Sequence, residues 1–386
     1  MDNVGVIGNK CVGCEQCAAT CPTGAIEMLP NKEGFFYPSV SAEKCIFCGK
    51  CLDRCAANVS ESQQIYPMET YAGVHNDVQI RTDSSSGGIF SALAKLFLEE
   101  YKGRVVGAAY NEKYEVEHIV IHSADELYKL RGSKYVQSRI NENIYRDIRK
   151  FLDNDEYVLF SGTQCQSVAL KKYLNKEYPK LLIVDVLCHG VPSPLALKTN
   201  LVEGGKAQPI LYLNMRDKGQ PADWFGFKYK YKYKYKYKGK LISKEKWFND
   251  SSYGRAFVHN VMLRESCYTC KYKRSSGNVA SDLTLGDFWG GAPYDIEPKN
   301  YGLSFIMVNT AFGQTVLNAI KEFISIRTVA YDEVVKGNRV LQEAVKRPFQ
   351  RDDFYTLMNA KGFTYACNKC TGNSWIKRIA KKVLRK

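Results

Sequence analysis

At 386 residues the chain is long enough for two or three domains. Its 45% hydrophobic and 25% charged residues are ordinary for a globular protein and exclude a disordered or fibrous one. The net charge of +15 is concentrated in Lys228–Lys240 and Trp375–Lys386, which carry seven and six basic residues and no acid, leaving about +2 elsewhere. Affinity for nucleic acid needs a contiguous basic surface, so no nucleic-acid partner is expected. No run approaches the ~20 apolar residues of a membrane span. The N-terminal residues show no basic stretch leading into an apolar one, so a cytoplasmic location is the expectation.

Fourteen cysteines in such a chain point to metal or redox chemistry, because the cytosol keeps ordinary thiols reduced. Cys11, Cys14, Cys17 and Cys21 follow C-x2-C-x2-C-x3-C and run into Pro22; Cys45, Cys48, Cys51 and Cys55 repeat the spacing, with Ala56 in the proline position. In such a repeat three closely spaced thiolates wrap one face of a 4Fe–4S cube, and the fourth reaches the other cluster. Two 4Fe–4S clusters are therefore expected, one on Cys11, Cys14, Cys17 and Cys55, the other on Cys45, Cys48, Cys51 and Cys21. A pair of zinc sites is the alternative, but zinc needs four ligands per ion and does not favour this tight run. The segment resembles two-cluster bacterial ferredoxins.

Beyond a polar linker at Asn58–Gln64, Thr82–Gly88 precedes an apolar-periodic helix, Ile89–Leu98. Such an N-terminus is either an anion seat or an ordinary capped helix. Arg104–Tyr110 and Val116–His122 read as strands. The polar Leu130–Ser138 follows with no obvious packing logic. Tyr157–Phe160 and Leu181–Leu187 are short buried-type strands flanking a helix to about Leu174, which implies a parallel pair with a right-handed crossover. Cys165 and Cys188 then fall just past the carboxyl ends of neighbouring strands, where open α/β sheets bind ligands. With Cys267 and Cys270 they make four thiolates, enough for a third 4Fe–4S cluster. An all-cysteine zinc site and unligated buried thiols are the alternatives.

The tyrosines of Lys228–Lys240 alternate with lysines, as in a half-buried edge strand whose lysines discourage edge pairing; a nucleic-acid surface is the sharper but less favoured reading. Trp375–Lys386 reads as a basic amphipathic helix suited to an anionic membrane surface, with a helix docked on the core as the bland alternative. Cys367 and Cys370 have no evident role.

Six ordered motifs, Ser86-Gly87-Gly88, Gly132–Ser138, Gly162–Gln166, Cys188–Val191, the Cys267/Cys270 pair and Leu285–Gly290, lie within residues 70–310. Together they resemble the family of coenzyme F420 hydrogenase/dehydrogenase beta subunits. The resemblance implies an iron–sulfur flavoprotein oxidoreductase in which Cys165, Cys188, Cys267 and Cys270 hold a cluster. It also places FAD near Ser86, Gly87, Gly88, Ser133, Lys134, Tyr135, Gln137 and Ser138. A flavin accepts one electron or two, so it belongs between clusters and a hydride substrate. Lys134 is expected either beside the flavin ring, stabilising its reduced anion, or as a solvated surface lysine.

The expected fold is an α+β ferredoxin-like two-cluster domain (residues 1–62) followed by a mixed α/β catalytic body in two parts (63–155 and 156–345) and a C-terminal extension (346–386). The partner is a redox protein or a small organic hydride donor or acceptor, with polysaccharide biosynthesis one setting and deazaflavin one substrate. An electron-transfer subunit without its own substrate is the main alternative; a zinc-stabilised scaffold carrying a ferredoxin appendage is the third. No catalytic acid or base can be assigned, and His189 suits a structural hydrogen bond as well as proton transfer.

Overall fold

The computed structural model describes residues 2–205, 207–218, 230–289, 296 and 301–372. In the ferredoxin-like part each cysteine run winds into a short helix, Gln16–Thr20 and Lys50–Asp53, beside an antiparallel hairpin of β1 (Ile26–Pro30) and β2 (Phe36–Val40).

The body is built on one eight-stranded mixed sheet. Its strands are β3 (Glu69–His75), β4 (Arg104–Tyr110), β5 (Val116–Ile121), β6 (Val158–Thr163), β7 (Leu181–Val186), β11 (Leu283–Asp287), β12 (Ser304–Val308) and β13 (Ile324–Thr328), ordered β13-β3-β12-β11-β7-β6-β4-β5. The centre, β4-β6-β7-β11, is parallel, and both flanks are antiparallel. The expected pair β6 and β7 is parallel, joined by the helix Gln164–Leu174.

Burial on both faces explains why these strands carry continuous apolar runs, since successive side chains point to opposite faces. Leu182 and Val184 face one core with Ile89, Phe97 and Val316, whereas Leu181 and Ile183 face another with Ile144, Ile148 and Leu170. Helices cover both faces, so the sheet is buried and its polar events fall at strand ends.

A second sheet contains β8 (Ile210–Asp217), β9 (Lys230–Tyr237) and β10 (Lys240–Trp247) in the order β10-β9-β8. The lysine–tyrosine strand is thus central rather than an edge, because β10 folds back as a hairpin and takes up its free side. Tyr231 and Tyr235 are buried, with the intervening lysines on the other face, as the alternation predicts. Cys367 and Cys370 sit in the core among Phe354, Phe363 and Ala366, where burial pushes both thiols up, Cys370 to about 11. The basic segment Trp375–Lys386 lies outside the described residues, as does Gly290. No helix among the described residues is long and apolar enough to cross a membrane.

Candidate functional site: three groups of thiols

The twelve cysteines singled out by spacing fall into three spatial groups. Cys14 and Cys17 interact electrostatically with each other and with Cys11 and Cys55. Cys21, Cys45, Cys48 and Cys51 line one recess together with Pro22, Ile46 and Phe47. The last cysteine of each run therefore crosses to the other group, as the spacing rule requires. Cys165, Cys188, Cys267 and Cys270 make the third group, each of the first three interacting with neighbours in the set.

Exposure separates the groups. Cys48 is exposed, and Ile46 and Phe47 beside it are 64% and 53% accessible. Cys11, Cys14, Cys17 and Cys55 are all buried. Burial pushes the Cys165 thiol far up and that of Cys267 to about 12. Crowded, buried thiols do not ionise without a positive partner; an iron cluster provides one, and a coordinating thiol is deprotonated outright. The donor set thus fits 4Fe–4S clusters. No group of three or more His, Cys, Asp and Glu side chains among the described residues converges on a single-ion position.

Cations flank the third group. Lys273 is buried, donates to the Cys188 carbonyl at 3.0 Å and favours the Cys188 thiolate. Arg264, fully buried, donates through Nε to the Cys11 carbonyl (2.7 Å), through Nη2 to that of Phe36 (3.0 Å) and through Nη1 to Gln137 Oε1 (3.0 Å). It lies over the Tyr37 ring at 4.2 Å and favours the Cys267 thiolate. One guanidinium therefore links the first cysteine loop to the third. Ser266 Oγ adds a bond to Cys11 O at 3.1 Å, and Tyr145 donates its hydroxyl to Cys14 O at 2.8 Å. Glu15, 4% exposed, is held by both arms of Arg139. Gly13 has φ +68°, and a Cβ there would meet Gln137 Nε2 at 2.2 Å. The ferredoxin-like part is bolted onto the body, not tethered to it.

The flavin candidates lie in two loops that meet where Ser133 Oγ donates to Ser85 Oγ at 2.8 Å. Their polar groups are largely engaged. Ser86 Oγ donates to Leu303 O and the Gly87 N–H to Ser304 Oγ; Gly88, at φ +87°, turns the chain into the next helix. Lys134 spends its amine on the carbonyls of Lys129, Leu130, Arg131 and Gly132, and loss of hydration lowers its pKa to about 7. It is a loop clamp rather than the solvated surface lysine. The Tyr135 ring packs against Phe248 and Phe257. Gln137 donates to the carbonyls of Val12 and Gly13, and Ser138 Oγ accepts from Gln166. His189 bonds Asn260 Oδ1 at 2.6 Å and sits against Phe257, the structural alternative; burial lowers its pKa. The carboxylate of Asp287 pairs with Arg216 at 2.6 Å, and Arg216 lies over the Trp289 ring.

Sequence reasoning missed Arg264, Tyr145, Tyr272 and Lys273. The last two stand two and three residues after Cys270, so their position was the available signal.

Three models of known families match the chain. A 4Fe–4S dicluster domain covers residues 10–59. The N-terminal and C-terminal parts of the beta subunit of coenzyme F420 hydrogenase/dehydrogenase cover 70–144 and 155–334. A component of the F420H2 dehydrogenase from Methanosarcina mazei is 24% identical over 191 residues, 46% of this chain and 53% of that protein. The coenzyme F420-dependent sulfite reductase of Methanocaldococcus jannaschii is 23% identical over 352 residues, 87% of this chain and 50% of that one. This chain spans about half the length of these curated relatives. A chain from the F420-reducing nickel–iron hydrogenase complex of Methanosarcina barkeri is 16% identical, with a TM-score of 0.47, covering 73% of this chain and 89% of that one.

Proposed function

Since this chain belongs to the family of coenzyme F420 hydrogenase/dehydrogenase beta subunits, we propose that it is an iron–sulfur flavoprotein oxidoreductase relaying electrons between a redox partner and a small organic hydride carrier. Cys45, Cys48, Cys51 and Cys21 would hold the cluster nearest solvent. Cys11, Cys14, Cys17 and Cys55 would hold a buried one, and Cys165, Cys188, Cys267 and Cys270 a third within the body. Clusters supply one-electron steps, and FAD converts these to a two-electron exchange.

The observation that carries this reading is a single apolar seam shared by the ferredoxin-like part and the body. Cys14 and Ala56 from one side pack with Val168, Ala169 and Tyr272 from the other, and Cys165 and Cys270 pack against the same set. Two thiol groups in one water-excluded seam suit electron passage, because little polar rearrangement is needed around them.

The chain's own residues keep that seam closed. Arg264, Gln137 and Tyr145 satisfy the carbonyls of the first cysteine loop. Lys273 and Arg264 offset negative charge at the third group. For FAD the support is the junction of the Ser86–Gly88 and Gly132–Ser138 loops and the need to convert between one and two electrons. Because the polar side chains there are largely engaged, contact falls to the loop backbone. A glycan intermediate or a deazaflavin would suit the hydride-exchanging role; delivery of electrons to a partner enzyme is the second form of the same function.

Metal and flavin analysis of anaerobically purified protein tests this. Three clusters and one flavin predict about 12 irons, matching sulfide and one FAD per chain. About 8 irons with one zinc and no flavin would overturn it.

A further inference from the structure

Tyr272 occupies a position that none of the cysteine motifs explains. It is 5% exposed and is, among the described residues, the one aromatic of the apolar seam described above. Its backbone stands two residues after Cys270. From there the ring crosses the seam, and its hydroxyl donates to the Ala56 carbonyl at 2.7 Å, next to Cys55. It interacts with Cys165 and Cys270 of the third group and with Cys14 and Cys55 of the first. Ala56 stands where the other cysteine run has proline and is fully buried. A pyrrolidine ring would need room that the seam gives to Tyr272.

We propose that Tyr272 is the positioning residue that bridges the first and third clusters, its ring and hydrogen bond forming the connected path between Cys270 and Cys55. This rests on the three-cluster reading above. In the step, one electron leaves the cluster on Cys11, Cys14, Cys17 and Cys55, which is oxidised, and enters the cluster on Cys165, Cys188, Cys267 and Cys270, which is reduced. The phenol stays protonated and is neither oxidised nor reduced. Contiguous packed side chains couple two sites better than a gap does. Tyr145 also interacts with both groups, through Cys14, Cys17 and Cys165, but it stands on the helix Glu142–Asp153, bonds only the Cys14 carbonyl and packs outside the seam, with Tyr173 and Ile148.

The test uses the full-length holoprotein, reduced anaerobically by a pulse of methyl viologen radical and followed by freeze-quench EPR of the third cluster. Tyr272→Phe keeps the ring and loses the hydrogen bond; Tyr272→Leu keeps an apolar side chain and loses the ring. With iron content unchanged, the fast phase of third-cluster reduction slows in Tyr272→Phe and is lost in Tyr272→Leu. Lys271→Met removes another seam bond, Lys271 Nζ to the Val59 carbonyl, and leaves the fast phase intact, which a merely structural seam would not do. Equal rates in wild type and both Tyr272 variants, or a fast phase lost in Tyr145→Phe and kept in Tyr272→Leu, overturn the bridge alone. A wild type with no third-cluster signal overturns the cluster reading, and the bridge with it.

Discussion

Replacing Arg264 by methionine removes the central bolt between the ferredoxin-like part and the body. The guanidinium is fully buried and makes three bonds, to Cys11 O, Phe36 O and Gln137 Oε1. Hydrogen bonds to a charged group contribute about 1.5–3 kcal/mol each, so three amount to roughly 4.5–9 kcal/mol. Against this stands relief of the desolvation cost of a buried cation, several kcal/mol in a dry interior. Ser266 Oγ still serves Cys11 O, whereas Phe36 O loses its guanidinium donor. The net loss expected is about 3–4 kcal/mol, a large part of the 5–15 kcal/mol that holds a typical domain. Limited proteolysis of the anaerobic holoprotein reads it directly, with the ferredoxin-like part released first and the apparent unfolding temperature lowered. Arg264→Lys keeps the charge but not the fork and falls between. An Arg264→Met protein that unfolds within a degree of wild type and resists protease equally would refute the reasoning.

Lys273→Met removes a buried positive charge beside Cys188, so the third cluster's midpoint potential falls in an EPR potentiometric titration while the other two hold; an unchanged potential counts against its place beside that cluster. Gly13→Ala forces a side chain into the left-handed region and against Gln137, which costs about 2–4 kcal/mol and appears as lowered thermal stability. Burial raises the Asp185 pKa from 3.8 to about 6. The folded state therefore favours the protonated form, and its stability contribution is full below about pH 4 and lost as pH rises through 6. Asp185→Asn should accordingly stabilise by up to about 3 kcal/mol at pH 7.5 and hardly at pH 4. Urea unfolding at the two pH values checks this, and an equal effect at both would contradict it.

Local pattern made the elements legible. Strands β4 to β7 and the helix Gln164–Leu174 fall within a few residues of the places their apolar runs indicate, because β-branched runs ended by polar turns have few other uses. The cysteine groups were legible too, since spacing within a run is a geometric constraint. The docking of the ferredoxin-like part was not, because it depends on single polar residues more than a hundred positions away, such as Arg264 on Cys11 and Arg351 on Glu33. The loop Gly132–Ser138 shows the same limit. Its polar composition showed no packing logic and only the family resemblance set it beside a flavin, yet Gln137 reaches back to the first cysteine loop and Lys134 closes on its own preceding turn. The β9 strand was recognisable from its alternation, but its central place depends on β10, whose lysine-rich sequence does not announce a strand.

The central claim is that the body carries its own cluster in line with the two of the ferredoxin-like part. Iron counting with EPR on the Cys267→Ala/Cys270→Ala protein, beside wild type, tests it most directly. The account predicts a loss of about four irons per chain with the two ferredoxin-like signals intact. An iron count equal to that of wild type would contradict it.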